Sequence, residues 1–360
     1  MIANPSLKWE TQISTDIALE FGLFDCLTGT IEYFKKDSKD LLFDVSQPAS
    51  VGVTSIIQNI GKVTNSGVEI ELDYNAFKNK DWSVSVGANA TFVKNKIKNL
   101  PATMKENGYI SGSKKWLEGK SIYEFWLRQW HGVDPQTGDG LYVADVSKYN
   151  QGNIGTGDGN ITQSQFDEYK KTVVTIDGKE LTNSYTYAKY DFSGSSIPDV
   201  FGGFNVRVSY KNFDLAAVFS YQLGGQVLDT NYATMMSMTE FGYAQSPDLL
   251  KAWKQAGDIT EVPRIDNSAA HTTNIGQSYS TRWLTSSDYL NLRSVTIGYQ
   301  FPKAWLSKVM LKSARLNLTA ENLFMLKARQ GLNPMANYSG VTYNEYMPSR
   351  NITLGLNVSF

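Results

Sequence analysis

The sequence predicts an all-β chain that forms part of a transmembrane antiparallel β-barrel, and three observations carry the prediction. Apolar and polar residues alternate with a period of two in segment after segment. Short and long connections between those segments take turns. No run reaches the roughly 18 apolar residues that a membrane-spanning helix needs, so a chain of this kind in a bilayer has to cross with strands.

Each strand is legible from its phase. Between Gln12 and Leu23 the positions Ile13, Ile17, Leu19, Phe21 and Leu23 alternate with Ser14, Asp16, Ala18, Glu20 and Gly22. The link Phe24-Asp25-Cys26 leads into a second strand over 26–36. In the third, over 66–77, Val68, Ile70, Leu72 and Tyr74 oppose Glu69, Glu71, Asp73 and Asn75, and three carboxylates on one face suit water better than a core. Lys78-Asn79-Lys80-Asp81 turns the chain into a strand over 82–96, where Trp82, Val84 and Val86 alternate with Ser83, Ser85 and Gly87. Strands are expected next at 121–127 and 141–143. The pair 203–210 and 213–223 is joined by Lys211-Asn212, and strands at 289–301, 314–324 and 351–360 complete the set. In the last of these Ile352, Leu354, Leu356, Val358 and Phe360 alternate with Asn351, Thr353, Gly355, Asn357 and Ser359.

Alternation alone does not separate a soluble sandwich from a membrane barrel, because both bury one face of each strand. The connections decide between them. Long polar segments near 41–65, 98–119, 145–198, 226–286 and 325–348 oppose the tight turns, an asymmetry of outer-membrane barrels, whereas a sandwich keeps most connections short. The expected count is about eleven strands. Bacterial single-chain barrels have even numbers, so the chain is expected to supply part of a barrel.

Composition removes other classes. Lys plus Arg number 34 against 35 Asp plus Glu, which leaves no bulk charge for nucleic-acid binding. The lone Cys26 forbids an internal disulfide and reads as a packed residue, and His131 and His271 lie too far apart in sequence for a zinc helix. Residues 155–163 contain the Asp158-Gly159 centre of a calcium loop. With Gly159 as the invariant glycine, Ile154 and Gln165 stand where the first and twelfth ligands belong, so a glycine-rich loop tip is expected instead. No phosphate-cradling motif, nucleophile elbow or paired base is present; no catalytic residue, metal ligand or cofactor is assigned, and no enzyme is expected.

Several ordered motifs carry a family resemblance. Asn4-Pro5-Ser6-Leu7-Lys8-Trp9-Glu10, the run from Asn59 to Glu69, Gly132-Val133-Asp134-Pro135-Gln136-Thr137-Gly138-Asp139-Gly140-Leu141-Tyr142, and Gly202-Gly203-Phe204 with Ser209 to Leu215 resemble the C-terminal third of SusC/RagA-type TonB-linked outer-membrane transporters, the TonB-dependent receptors. Pro263-Arg264, the run from Tyr289 to Tyr299, Glu321-Asn322-Leu323-Phe324 and Gly331-Leu332-Asn333-Pro334 continue it in the expected order. The resemblance implies about the C-terminal half of a 22-stranded plugged barrel, located in the outer membrane of a Gram-negative, Bacteroidetes-like cell and importing an oligosaccharide or peptide. It also implies a SusD-like surface lipoprotein as partner, TonB engaged through an N-terminal part, and the barrel-assembly machinery. The start MIANPSLKWETQ has no signal-peptide layout, and the family's plug, TonB-contacting segment and earlier strands are not in this sequence, so a truncated or split gene product is expected.

Within a complete barrel, Asp16, Glu20, Glu69, Glu71, Asp73, Asn205, Arg207, Asn317 and Glu321 are expected to face the lumen and plug. Ile13, Ile17, Leu19, Phe21, Val68, Ile70, Leu72, Ile352, Leu354 and Leu356 are expected to face lipid. The loop aromatics Trp116, Trp253 and Trp283 are candidates to stack on sugars or pack peptide side chains, against the alternative that each anchors its own loop. Ser246 to Trp253 reads as a short helix capped by Ser246. Phe360 is a candidate assembly signal. The rival from another class is a soluble or surface all-β glycan-binding module, which would bury the alternating apolar face in a closed core.

Overall fold

The computed structural model describes the chain apart from residues 1–3, 5, 47–49, 51, 54, 60, 102–103, 158, 239–241, 243, 277–278 and 344. Its frame is one antiparallel sheet of nine long strands. In chain order they are β1 (Thr11–Leu23), β2 (Leu27–Lys39), β3 (Lys62–Lys78), β4 (Trp82–Asn99), β5 (Val200–Tyr210), β6 (Phe213–Leu223), β7 (Tyr289–Gln300), β8 (Ser313–Glu321) and β9 (Asn351–Ser359). Each pairs with its sequence neighbour, and the short strand Met325–Lys327 adds to β7. The sheet does not close: among the described residues β1 and β9 each keep one unpaired edge.

Register lines up the alternation across the whole wall. Leu19, Ile31 and Ile70 sit opposite one another on β1, β2 and β3, as do Val84, Val208 and Leu215 further along. Ile297, Leu318 and Leu354 continue that row to β9. On the other face Glu20, Thr30, Glu71, Asn89, Gly203 and Ser220 form a row, and Asp73, Gly87 and Asn205 form the next. Directly opposed residues share a face, so the expected lumen-facing and lipid-facing sets fall on opposite sides of one sheet. The apolar side is bare: Ile17 is 65% exposed, Leu19 64%, Ile352 72% and Leu354 70%. A sandwich core would have covered them.

Three links at one end are tight. Phe24 and Asp25 both adopt left-handed φ, near 55° and 54°, and the Cys26 N–H donates to the Leu23 carbonyl at 3.2 Å; this primed geometry matches the twist of a hairpin. Asn79 Oδ1 accepts from the N–H groups of Asp81 and Trp82 at 2.9 and 2.7 Å. Lys211 takes φ near 50° in the third. Cys26 lies in the first of these turns as a half-buried free thiol, not in a packed core. Aromatic side chains gather on the apolar side here: Trp82 and Tyr210 lie 4.3 Å apart, and Phe213 and Tyr299 4.5 Å apart. Such a girdle marks the rim of a transmembrane wall.

The expected strand count needs correction from about eleven to nine. Residues 121–127 and 141–143 are not wall strands, because β4 pairs directly with β5. Glu124–Arg128 belongs to a small sheet with Lys114–Trp116, Tyr109–Ser111 and Tyr190–Ser195, and Gly140–Val143 to another with Trp130–Val133, Lys179–Thr182 and Val173–Ile176. Segments of four and five residues cannot span a bilayer, which takes about 9–11 in strand form. Phe125 and Leu127 are fully buried with Leu228, Leu249 and Trp283 in the main core of the chain. That core lies in the long connections, which fold into a layer of their own at the open end of the wall.

Candidate functional site

The polar face of the wall and the layer above it form the candidate site. Their junction is built by paired asparagines: Asn95 Nδ2 donates to Asn65 Oδ1 at 2.7 Å, while Asn95 Oδ1 accepts from Ser121 Oγ at 3.0 Å and from the Ile122 N–H at 2.9 Å. Val63 and Ile97, on the same side of β3 and β4 as Glu69 and Glu71, pack against Leu100, Trp116 and Ile122. The layer therefore caps the polar side, which makes that side the interior. Asp214 and Arg315 pair across β6 and β8 at 2.7 Å, and Arg315 also donates to Asn317 at 2.8 Å.

The sequence motifs meet in this layer. Asn59 reaches the Lys8 carbonyl at 2.7 Å and the Asp40 carbonyl at 2.8 Å, and accepts from the Lys8 N–H at 2.6 Å, tying the first motif to the second; Pro5 and Ile60 of these motifs lie outside the described residues. Asp134 folds the Gly132–Tyr142 motif by accepting from the Gln136 N–H and the Thr137 hydroxyl at 2.8 and 2.9 Å. The Arg264 N–H donates to the Gly138 carbonyl at 2.9 Å, and its guanidinium pairs with Asp139 at 3.2 Å. Gly138 holds φ near +75°, and a Cβ there would meet the Trp253 ring at 2.5 Å. Asn322, at φ near 51°, donates to the Ser349 carbonyl at 3.0 Å and joins the start of β9 to β8.

The three tryptophans are placed separately. Trp116 donates its indole N–H to the Ile122 carbonyl at 3.1 Å and lies 5.3 Å from the Tyr109 ring. Trp253 donates to the Pro135 carbonyl at 3.0 Å. Trp283 is 2% exposed. Its ring lies under the Arg282 guanidinium at 4.3 Å, and Trp130 covers that guanidinium from 4.7 Å. Burial pulls Arg282 down to about 10 and pushes the neighbouring Tyr142 hydroxyl up to about 12. Phe360 follows β9 and is 81% exposed. Ser246 caps the expected short helix, which is a 3₁₀ turn over Pro247–Lys251.

Composition gave no hint of a second group of residues. A hollow of about 490 Å³ is lined by Asp229, Tyr232, Arg329, Asn333, Glu345 and Tyr346 among others. Arg329 lies 3.7 Å over the Tyr232 ring and pairs with the nearly buried Asp229 at 3.1 Å, while the Tyr232 hydroxyl donates to Asp248 at 2.8 Å. The exposed Tyr346 stands at its edge. A flat aromatic face beside a fixed charge pair suits polar ligands with apolar patches. Asp229 and Arg329 are a hundred residues apart and share no sequence pattern, so only the fold brings them together.

Among the described residues no group of three His, Cys, Asp or Glu side chains is placed to hold a metal. Asp158 of the glycine-rich loop lies outside the described residues. Gln165, at the twelfth position, is used in a capping box: its N–H donates to Thr162 Oγ1 at 3.2 Å, and its side-chain oxygen accepts the Thr162 N–H at 2.8 Å.

The comparisons with known proteins follow the same outline. Residues 1–323 match the family model described as TonB dependent receptor-like, beta-barrel. The chain is 29% identical to TonB-dependent receptor P3 of Formosa agariphila, over 99% of this chain and 35% of that protein. It is 24% identical to TonB-dependent receptor SusC of Bacteroides thetaiotaomicron, over 99% of this chain and 32% of that one. Among solved structures, the RagAB peptide importer in its closed-closed state superposes with a TM-score of 0.78 at 25% identity, over the whole of this chain and 36% of that chain. The open-open state gives 0.72 at 25% identity, over 99% and 35%. The chain thus spans about a third of the length of the relatives it matches, and it belongs to the TonB-dependent receptor-like β-barrel family, whose SusC- and RagA-like members are outer-membrane transporters.

Proposed function

We propose that this chain is the C-terminal barrel part of a SusC/RagA-type importer that takes up an oligosaccharide or a peptide across the outer membrane. The observation that carries it is the division of one nine-stranded wall into a bare apolar side and a polar side capped by its own connections. The unpaired edges of β1 and β9 leave backbone groups that hydrocarbon cannot satisfy, so strands outside this chain complete the wall, together with a plug. TonB would act through the N-terminal part of the complete protein, and a SusD-like lipoprotein would sit on the connection layer. Peptide is supported by the similar structure named a peptide importer, oligosaccharide by the motif resemblance, and the aromatic and charged hollow at Tyr232 and Arg329 suits either. The glycan-binding module loses ground because it would need a closed core where Ile17, Leu19, Ile352 and Leu354 stand exposed.

The test is deletion of the gene for the complete protein, followed by growth on single glycan and peptide sources and affinity purification of the tagged receptor. Loss of growth on one source, with a surface lipoprotein that co-purifies, is expected. Unchanged growth on every source with no lipoprotein would overturn the proposal.

A further inference from the structure

The lipid-facing side of the wall changes character at the connection end of three strands. On β2 the outward positions run Ile31, Tyr33, Lys35, Asp37, Lys39; on β3 they run Ile70, Val68, Ser66, Thr64, Lys62; on β4 they run Ala90, Phe92, Lys94, Lys96. Register puts Lys35 and Lys94 on either side of Ser66, with Asp37 and Lys96 on either side of Thr64. Five lysines thus crowd a patch three strands wide, just past an aromatic edge formed by Tyr33 and Phe92. Among the described residues one carboxylate pairs with them: Asp37 meets Lys62 at 3.2 Å and Lys35 at 3.8 Å and accepts from the Thr64 hydroxyl at 2.6 Å. Lys39, Lys94 and Lys96 form no ion pair among the described residues.

The patch is local. On β6 and β7 the outward positions nearest the connections are Tyr221 and Leu223, and Leu290 and Leu292, with no lysine among them. A solvation collar would be spread around the wall; this charge is confined to one arc of it. Neighbouring strands are about 4.8 Å apart, so Lys35 and Lys94 flank Ser66 across roughly 10 Å of sheet, and their flexible stems let two ammonium groups converge above its hydroxyl. Directly below lie apolar side chains that would meet acyl chains.

We propose that this arc binds the phosphorylated headgroup of an outer-leaflet glycolipid, with Lys35, Lys94 and Lys96 taking the phosphate and Tyr33, Val68 and Phe92 taking the start of the acyl chains. Charge complementarity and continuity with the apolar band select a lipid over a soluble anion. The assignment rests on the reading that the wall crosses an outer membrane with its long connections outside.

The complete receptor in detergent would be titrated with bisphosphorylated lipid A and, separately, with dephosphorylated lipid A, and binding followed by native mass spectrometry. Each lysine near a charged lipid surface contributes about fivefold, so Lys35→Gln/Lys94→Gln/Lys96→Gln should weaken phosphorylated lipid A by roughly a hundredfold and leave the dephosphorylated form unchanged. Lys36→Gln, on the interior side over the Phe34 ring, should bind like the parent. Equal affinity of parent and triple variant, or full displacement of the lipid by inorganic phosphate, would overturn the inference. Membrane fractionation separates the two levels: a receptor absent from the outer membrane refutes the underlying reading, whereas one present there with unchanged lipid binding refutes this site alone.

Discussion

Lys114 offers a direct test of how the connection layer is held together. Its side chain is 8% exposed, its ammonium donates to the Tyr123 carbonyl at 2.9 Å, and it sits 3.2 Å above the centre of the Phe125 ring. Burial pulls it from the ordinary 10.5 down to about 7, opposed by the charge of Glu124. That difference corresponds to about 5 kcal/mol against the charged form. The Phe125 ring favours the charged form by about 1–2 kcal/mol, which leaves roughly 3 kcal/mol. Between about pH 7 and pH 10 the unfolded chain holds this proton and the folded layer does not, so stability contributed by Lys114 rises with pH through that window. Below pH 7 the penalty is present in full. Lys114→Met removes the titration and one of two donors to the Tyr123 carbonyl, which keeps the Ser196 N–H at 3.2 Å, at a pH-independent cost of about 1 kcal/mol. Melting of the layer, followed by tryptophan fluorescence in the complete receptor, should therefore show the parent gaining on Lys114→Met as pH rises from 6 to 10. A difference that stays flat, or that moves in favour of the variant, would refute the burial argument.

Three further outcomes are expected. A Cβ at Gly202 would fall 2.1 Å from the Asn89 carbonyl oxygen on the paired strand β4, so Gly202→Val should prevent β4 and β5 from pairing and abolish the heat-modifiable, folded band on gel electrophoresis; a normal band would show that the strands can part without loss. Trp283→Ala should destabilise the layer by about 3–5 kcal/mol, as for other buried aromatics, whereas Trp253→Phe should lose only the bond to Pro135, about 1 kcal/mol; if either instead lowers substrate affinity with melting unchanged, that residue binds substrate. Phe360 is 81% exposed, so Phe360→Ala should leave melting within about 0.5 kcal/mol of the parent while sharply lowering the amount assembled in the outer membrane, measured by quantitative blotting; normal assembly would leave Phe360 as a terminal side chain with no signalling part.

The wall was legible because period-two patterning is a local property. Glu69, Glu71 and Asp73 against Val68, Ile70 and Leu72 fix which side of β3 meets water before any partner strand is known, and β2 and β4 only have to match that phase. The same rule failed at 121–127, where Tyr123, Phe125 and Leu127 keep a two-residue phase although Ile122 and Trp126 are apolar as well. Length was the missing criterion there. Five residues between Ser121 and Lys189 partners can pack into a small sheet but cannot cross hydrocarbon. Tyr232 and Arg329 were illegible for a different reason: a cation placed over a ring requires two connections to fold against each other, and neither carries a periodic signal.

The motifs that signalled the family are mostly joints of the frame. Asn59 bonds backbone at Lys8 and Asp40, Asp134 bonds its own turn, Arg264 closes on Gly138 and Asp139, and Asn322 fastens the segment leading into β9. Asn59, Asp134 and Asn322 use their side chains to satisfy backbone groups where segments turn or cross, and Arg264 adds an ion pair to a backbone bond, each bond contributing about 1 kcal/mol. A ligand surface has no such requirement: of the hollow's lining Asn333 falls in the Gly331–Pro334 motif, whereas the exposed Tyr346 and the partly exposed Arg329 lie outside every motif. Resemblance therefore reports how the connection layer is bolted to the wall, and the chemistry that would choose a sugar over a peptide has to be sought in the residues between the joints.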